Sequence, residues 1–264
     1  MAYTNSSLVS YTKLSPNHSG QRTHSIDRIT PHCVVGQLTA ESICGCFTSP
    51  SREASCNYGI GKDGKIALCV EEKNRSWCSS SSANDQRAVT IECASDLNHP
   101  YAMTTAVYNS LVKLCTDICK RNGKKKLLWL GDKNKTLNYS PKSDEMVLTV
   151  HRWFANKSCP GDWLYSRLGD LASKVTAALG GSSSGSAGSV LYRVRKSWSD
   201  AKSQKGAFNN LDNAKRCADS NAGYSVFDES GKVVYTGKQT GSGSSTGSFL
   251  VQVTATDLNI RKGP

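Results

Sequence analysis

Apolar residues form short runs and longer periodic patterns along the first 180 residues of the chain. Apolar residues at every third or fourth position predict an amphipathic helix over 101–121 that ends at Asn122-Gly123. Further helices are predicted over 41–46 and 163–179. Short runs rich in aliphatic and β-branched residues predict strands over 29–35, 88–93, 127–130 and 146–150.

A β-hairpin is predicted between residues 57 and 70. Two apolar segments, 57–61 and 66–70, flank a turn that contains Asp63-Gly64, and Asp-Gly readily adopts the positive φ angles of a tight turn. Strands and helices thus alternate within one segment of about 180 residues, which predicts an α/β fold with a mixed central sheet flanked by helices.

Two Gly/Ser-rich segments, 180–189 and 237–248, have the composition of flexible linkers. They divide the chain into a large domain over 1–179, a small α+β module over 190–236 and a fragment over 249–264. The middle module is predicted to contain strands at 190–196, 224–227 and 233–235 and a helix over 211–222. Because a fragment as short as 249–264 cannot form a domain alone, we expect it to be the start of a truncated module.

Composition restricts the class of protein. Hydrophobic residues make up 38% of the 264 residues, and no apolar run approaches the ~18 residues that a membrane-spanning helix needs. The first residues have neither a basic region nor an apolar region of a signal peptide, so we expect synthesis in a cytoplasm. The net charge of +12 favours an anionic partner. The basic run at 124–126 lacks the interleaved aromatic residues of a nucleic-acid groove, which disfavours nucleic acid.

The chain contains eleven cysteines, an odd number, and no pair of them has the spacing of a zinc finger. Without a signal peptide, reduced thiols are the default state. We therefore expect most of these cysteines to pack as small apolar residues rather than to form a disulfide framework.

Candidate chemistry is concentrated in one segment, residues 150–161, which contains His151, Lys157 and Cys159. Imidazole and thiolate are zinc ligands, and a neighbouring lysine adds a cation at the same place. His32, at the end of a predicted strand, is a candidate third ligand, although a lone histidine is more often a packing or surface residue. Two histidines and one cysteine leave a fourth position for water, as in catalytic zinc sites.

Four segments, in order along the chain, carry a family resemblance: ITPHCVVG, NYGIGKDGKI, NDQRAVTIEC and HRWFANKSCPG. Together they resemble the type 2 N-acetylmuramoyl-L-alanine amidase family over about residues 5–176. The resemblance implies a zinc cleft whose ligands are His32, His151 and Cys159. It also implies hydrolysis of the amide bond between N-acetylmuramic acid and L-alanine.

The same resemblance implies roles for other residues. Glu92 matches the family glutamate proposed as general base, Lys157 matches a lysine that stabilises the oxyanion, and Tyr58 matches a tyrosine near the metal. Trp77 and Asn84 match positions that line the cleft. The alternatives are a solvent-facing carboxylate for Glu92, a loop lysine for Lys157 and a core residue for Trp77.

The chain departs from the family pattern at Cys33, where many members have a second histidine. Strand alternation predicts that Cys33 faces away from His32. The remaining histidines, His18, His24 and His99, match no ligand position and are interpreted as surface or loop residues.

The domain layout is typical of lytic enzymes from phages of Gram-positive bacteria. The segment VTATDLNIRKGP resembles the opening strand of bacterial Src-homology-3-type wall-binding domains, and the middle module resembles small modules appended to clostridial-type amidases. The resemblance therefore predicts an endolysin-like enzyme that acts on cell-wall peptidoglycan, with no nucleic-acid or membrane partner. The alternatives are a non-catalytic peptidoglycan-binding protein, against which Cys159 argues, and a host autolysin or sporulation amidase.

Overall fold

A strand over residues 28–33, in which every residue is buried, lies inside the main sheet of the fold. The computed structural model describes residues 3–180, 191–208 and 211–238. These residues form two units, the first within residues 3–192 and 208–213 and the second within 193–207 and 214–238. No helix in the described ranges is both long and apolar enough to cross a membrane.

The first unit is built on a seven-stranded sheet with strand order β1-β5-β4-β7-β3-β9-β8. All of its neighbouring pairs are parallel except β4 and β5. A separate antiparallel ribbon pairs β2 with β6. The strands of this unit are β1 (Tyr11–Thr12), β2 (His18–Gln21), β3 (Arg28–Cys33), β4 (Tyr58–Ile60), β5 (Ile66–Leu68), β6 (Asn74–Ser76), β7 (Ala88–Cys93), β8 (Lys126–Leu128) and β9 (Glu145–Leu148).

The predicted α/β class with a mixed sheet is confirmed. The central strand β3 is buried at every position because parallel sheets are covered on both faces. The predicted hairpin is also present, since β4 and β5 pair antiparallel across the turn at Gly64, whose φ is +84°. A Cβ atom at Gly64 would lie 2.9 Å from the carbonyl oxygen of Ala106, so glycine is required there for space as well as for φ.

Helices cover the sheet: α1 (Ala40–Gly45), α2 (Ser82–Asp85), α3 (Thr105–Arg121), α4 (Lys133–Leu137), α5 (Asp162–Tyr165) and α6 (Leu168–Ala178). The long predicted helix is present as α3, but it begins at Thr105, where the hydroxyl of Thr104 caps it by accepting from Val107 N. The single helix predicted over 163–179 is wrong, because it is broken into α5 and α6 near Arg167. The apolar pattern runs through the break because Leu164 and Leu168, on its two sides, are both fully buried.

Five of the nine free cysteines are buried, whereas Cys46 is exposed and Cys78, Cys159 and Cys217 are half-buried. Cys93, Cys115 and Cys119 are among the free thiols buried in the core of the first unit. Cys44 on α1 and Cys69 after β5, however, form a disulfide, so the expectation of reduced thiols is wrong for this pair. The two residues are 25 positions apart, and only the packing of α1 against the hairpin brings their Cα atoms to 5.3 Å.

The second unit is a small four-stranded sheet with one longer helix, and its last three neighbouring strands pair antiparallel. The elements that have most of their residues in this unit are β10 (Tyr192–Arg195), β11 (Gly206–Phe208), α7 (Leu211–Asp219), β12 (Ser225–Phe227) and β13 (Val233–Thr236). The strand order of the sheet is β11-β10-β12-β13. The α+β character predicted for this module is present, with β11 as a strand that the sequence pattern did not indicate. The Src-homology-3-like fragment over 249–264 and most of both Gly/Ser segments lie outside the described residues.

Candidate metal centre and catalytic cleft

The ends of three neighbouring strands bring the main site residues together. His32 near the end of β3 is the direct register partner of Glu92 on β7. His151 follows β9, which pairs with β3 on its other side. Because the carboxyl ends of parallel strands meet at one edge of a sheet, residues distant in sequence converge there.

Cys159 completes a cluster of three metal-ligating side chains. One ligand atom from each of His32, His151 and Cys159 lies within 4.8 Å of the others. The Cys159 Sγ atom is 3.3 Å from His32 Nδ1, and the two imidazole rings have centroids 5.1 Å apart. The structure thus brings together the three side chains that the sequence analysis named, and their binding of a metal stays a prediction.

The loop that presents Cys159 depends on local backbone geometry. Arg152 N donates to the carbonyl oxygen of Cys159 at 3.1 Å, which closes the loop on the residue after His151. Gly161 has a φ of +81°, and a Cβ there would lie 3.0 Å from the carbonyl oxygen of Pro100. Glycine is therefore needed two residues after the thiol.

The donor set suits zinc. His32 is fully buried, and its Nε2 atom has no hydrogen-bond partner among the described residues. Burial, with the charge of His151, lowers the pKa of His32 well below its usual value, which favours the neutral imidazole that binds metals. Burial raises the pKa of Cys159, so a cation is needed to stabilise its thiolate. Two imidazoles and one thiolate are typical zinc ligands.

Glu92 faces this cluster rather than solvent. Its side chain is only 15% exposed, and Oε1 lies 4.0 Å from His32 Nδ1. The Oε2 atom is buried without a hydrogen-bond partner. Burial raises the pKa of Glu92 to about 7, against a smaller lowering by Arg52 and by the thiol of Cys78, which lies 3.9 Å from Oε1. The alternative of a solvent-facing carboxylate is therefore wrong.

Lys157 lies at the exposed mouth of the cleft. Its side chain lines the cleft together with His151 and Cys159. Burial is the largest cause that lowers the pKa of His151, and the positive charge of Lys157 lowers it further. Lys157 thus places a positive charge beside the metal-ligating cluster.

The cleft has a volume of about 940 Å³. Trp77 lines it, as predicted, and donates from Nε1 to Ser19 Oγ at 2.6 Å. Ser80 is a site residue that sequence reasoning missed, with its Oγ 2.9 Å from His151 Nε2. It belongs to a run of four serines, 79–82, in which no pattern distinguishes one hydroxyl from the next.

Tyr58 is not brought to this cleft, which corrects the sequence-based prediction. On β4 its register partner is Ile91, so its side chain lies on the sheet face opposite that of Glu92. There Tyr58 is fully buried and donates to Glu72 Oε1 at 2.6 Å. Burial and the neighbouring Glu72 raise the pKa of Tyr58.

Asn84 and Cys33 also differ from expectation. Asn84 is buried and does not line the metal cleft; its amide donates to Thr30 Oγ1 at 3.0 Å and accepts from Thr149 at 3.1 Å. Cys33 lines the cleft together with Cys159, so it is not directed away from the site as strand alternation predicted. The remaining histidines His18, His24 and His99 lie outside the cleft, as expected.

The sequence of the chain matches one family of known proteins. The model of the N-acetylmuramoyl-L-alanine amidase family matches residues 22–162. No curated protein matches the chain in sequence.

Solved structures with a similar course of the chain include PlyL, with 15% identity, a TM-score of 0.45 and coverage of 62% of this chain and 95% of that one. A selenomethionine derivative of AmpD has 17% identity, a TM-score of 0.47 and coverage of 65% and 99%. The endolysin amidase LysCS from Clostridium intestinale has 15% identity, a TM-score of 0.39 and coverage of 66% and 98%. At these values the family assignment rests on the sequence match alone.

Proposed function

The chain belongs to the N-acetylmuramoyl-L-alanine amidase family, and from this premise we propose that it is a zinc-dependent enzyme that hydrolyses the amide bond between N-acetylmuramic acid and L-alanine. Its substrate is the peptidoglycan of the cell wall. The observation that carries the zinc proposal is the convergence of His32, His151 and Cys159, whose ligand atoms lie within 4.8 Å of one another.

His32, His151 and Cys159 are the residues that would hold zinc. When bound, zinc supplies Lewis-acid chemistry that polarises a carbonyl group and makes water a nucleophile at neutral pH. The open cleft on the solvent side of the cluster leaves room for a substrate beside these ligands.

Glu92 is the proposed general base. Its buried Oε2 has no hydrogen-bond partner and is therefore free to accept a proton. A pKa of about 7 gives substantial populations of both the carboxylate and the acid near neutral pH, so Glu92 can accept the proton and then return it to the leaving amine.

Lys157 is the proposed oxyanion partner. An ammonium group at the mouth of the cleft favours negative charge that develops on the carbonyl oxygen during attack. Because Lys157 is exposed, its contribution is expected to increase when substrate excludes water from the cleft.

The rival function is peptidoglycan binding without cleavage. Zymography on purified walls tests the difference with the parent, Cys159→Ala and chelator-treated protein, and with Cys217→Ala as a matched control in the second unit. We expect lysis by the parent and the control only. Equal lysis in all four samples would contradict the zinc proposal. Mass analysis of the products must show free L-alanine amino termini, because glycosidase cleavage would not release them.

We further propose that the second unit binds the wall and that the protein is a phage endolysin. The strand β10 carries Arg193 and Arg195, whose guanidinium groups lie 5.7 and 5.1 Å from the ring centroid of Trp198. A cationic surface with an aromatic ring suits an anionic carbohydrate polymer. A second binding module raises the effective concentration of the enzyme at the wall.

A further inference from the structure

A second cavity of about 530 Å³ lies in the first unit, apart from the metal-ligating residues. Arg28, Arg87 and Lys133 line it, and Trp153 forms an aromatic part of its wall. No carboxylate is among the residues that line this cavity. The cavity is therefore polar and cationic.

Arg28 is the buried cation of this cavity. The residue is only 6% exposed, and its Nη1 donates to Asn84 Oδ1 at 3.2 Å. In the described part of the chain no ion pair joins Arg28 to a carboxylate, whereas Arg87 is paired with Asp27 through two hydrogen bonds. The charge of Asp27 also acts on Arg28, so one carboxylate faces two guanidinium groups and positive charge remains in excess. A buried guanidinium with such an excess of positive charge is stabilised by a further anion.

Lys133 adds a second positive charge. It begins the short helix α4, its side chain is exposed, and no ion pair is found for it within residues 3–180. The cavity thus offers a buried guanidinium from Arg28 and an exposed ammonium from Lys133, which is a suitable pair for a carboxylate or a phosphate.

The cavity adjoins the metal cleft. Ser80 and Ser81 line both spaces, and Ser80 also contacts His151. Arg28 and His32 lie on the same face of β3, four residues apart, which corresponds to roughly 13 Å at about 3.3 Å per residue. An extended peptide covers that distance in about four residues.

We propose that the Arg28 cavity binds an anionic group, a carboxylate or a phosphate, of the same wall polymer whose amide bond occupies the metal cleft. This inference rests on the proposed amidase function. A carboxylate would come from the stem peptide, three to four residues beyond the scissile amide. A phosphate would come from a polymer attached to the glycan. In both cases the cavity selects among substrates by charge and takes no part in the bond cleavage.

The first arm of the test uses the zinc-loaded full chain and a pair of soluble muramoyl peptides that differ only in a carboxylate or a carboxamide at the third stem residue. The second arm uses purified walls before and after removal of phosphate polymers. We expect the parent to show a KM about tenfold lower for the charged substrate in one arm, with kcat nearly unchanged. That arm identifies the source of the anion.

Lys133→Gln is the test variant, and Lys135→Gln is its matched control, because Lys135 is an exposed lysine of the same helix that does not line the cavity. We expect Lys133→Gln to lose most of the preference for charged substrate and Lys135→Gln to keep it. Arg28→Gln should abolish the preference. Since Arg28 is buried, this variant is compared only at a temperature where its circular dichroism matches that of the parent.

A binding measurement separates this proposal from the proposed amidase function. Calorimetric titration with inorganic phosphate and with succinate should give binding to the parent and Lys135→Gln that is weakened about tenfold in Lys133→Gln. If the protein hydrolyses no muramoyl peptide yet shows this pattern, the amidase proposal fails and the anion site stands. Equal anion binding by both variants, or equal KM for charged and uncharged substrates in both arms, would overturn the anion site.

Discussion

Replacing Glu92 with glutamine is expected to stabilise the metal-free protein at alkaline pH and to remove most of the activity of the zinc-loaded protein. The gain in stability and the loss of activity arise from one cause. The carboxyl group is buried and its Oε2 atom has no partner, which is unfavourable for the charged form and useful for a group that must accept a proton.

The magnitude follows from the pKa of Glu92. Burial raises this pKa from 4.5 to about 7. Between these two pH values the folded protein retains a proton that the unfolded chain has lost, so the free energy of unfolding falls as pH rises through the window. At about 1.4 kcal/mol per pH unit, ionisation of Glu92 costs the folded state roughly 3 kcal/mol at pH 8. Glutamine has nearly the same shape and does not ionise.

The assay is urea unfolding at pH 5 and pH 8 in the presence of a chelator. We expect the free energy of unfolding of Glu92→Gln, relative to the parent, to increase by about 2 to 3 kcal/mol from pH 5 to pH 8. Glu53→Gln is the matched control, because it removes an exposed carboxylate from the same cleft.

The second half of the prediction concerns catalysis. With zinc bound, Glu92→Gln should lose about 10² to 10⁴-fold in kcat, the usual contribution of a general base, while its zinc content stays equal to that of the parent. A pH-independent difference in stability would refute the argument from burial. Activity within a few-fold of the parent would refute the assignment of the base.

The remaining predictions concern three other positions. Tyr58→Phe should leave kcat unchanged but lower the free energy of unfolding by about 1 to 3 kcal/mol in urea denaturation, because Glu72 loses a buried hydrogen bond. Gly161→Ala should weaken zinc binding in a competition titration with a chromogenic chelator, because the new Cβ displaces the loop that carries Cys159. Arg193→Gln should reduce retention of the protein on purified walls in a sedimentation assay and leave hydrolysis of a soluble muramoyl peptide unchanged.

Each of these has a control and a contradicting result. A fall in kcat for Tyr58→Phe would contradict its position on the opposite sheet face. Gly123→Ala is the control for Gly161, since Gly123 also has a positive φ, of +67°, but a Cβ there meets no atom within 4 Å. Equal zinc affinity in both alanine variants would show that the close contact does not matter. For Arg193, the control is Lys65→Gln in the first unit, and equal wall retention by the two variants would contradict wall binding by the second unit.

The strands β3 and β7 were predicted because apolar and β-branched residues are frequent in both, and polar residues interrupt them only singly. The bounds predicted for β7 match the structure to the residue. The strand β6 (Asn74–Ser76) contains no aliphatic residue and was not predicted, since it is stabilised by pairing with β2. Apolar periodicity likewise could not reveal the break before α6.

The sequence analysis named His32, His151 and Cys159 because imidazole and thiolate are metal-binding groups. Parallel strand ends bring these three side chains together in the structure. The position of Tyr58 was predicted wrongly because it depends on register. Its pairing with Ile91 rather than Glu92 decides the face, and a sequence does not specify which residues of two separate strands lie side by side. The Cys44–Cys69 disulfide and the contact of Ser80 with His151 were not predicted either. Both depend on tertiary packing, which brings residues distant in sequence together.

The alternation of side chains along β3 has a consequence for how substrates can be measured. Arg28, Thr30 and His32 share one face, so a group on this strand can be moved relative to His32 only in steps of two residues, or about 6.6 Å. A relative of this protein could therefore not change the distance between the scissile amide and the recognised anion in small steps. With the guanidinium at position 30, it would accept substrates in which this distance is about two peptide residues shorter. For any other distance, it would have to supply the positive charge from another strand.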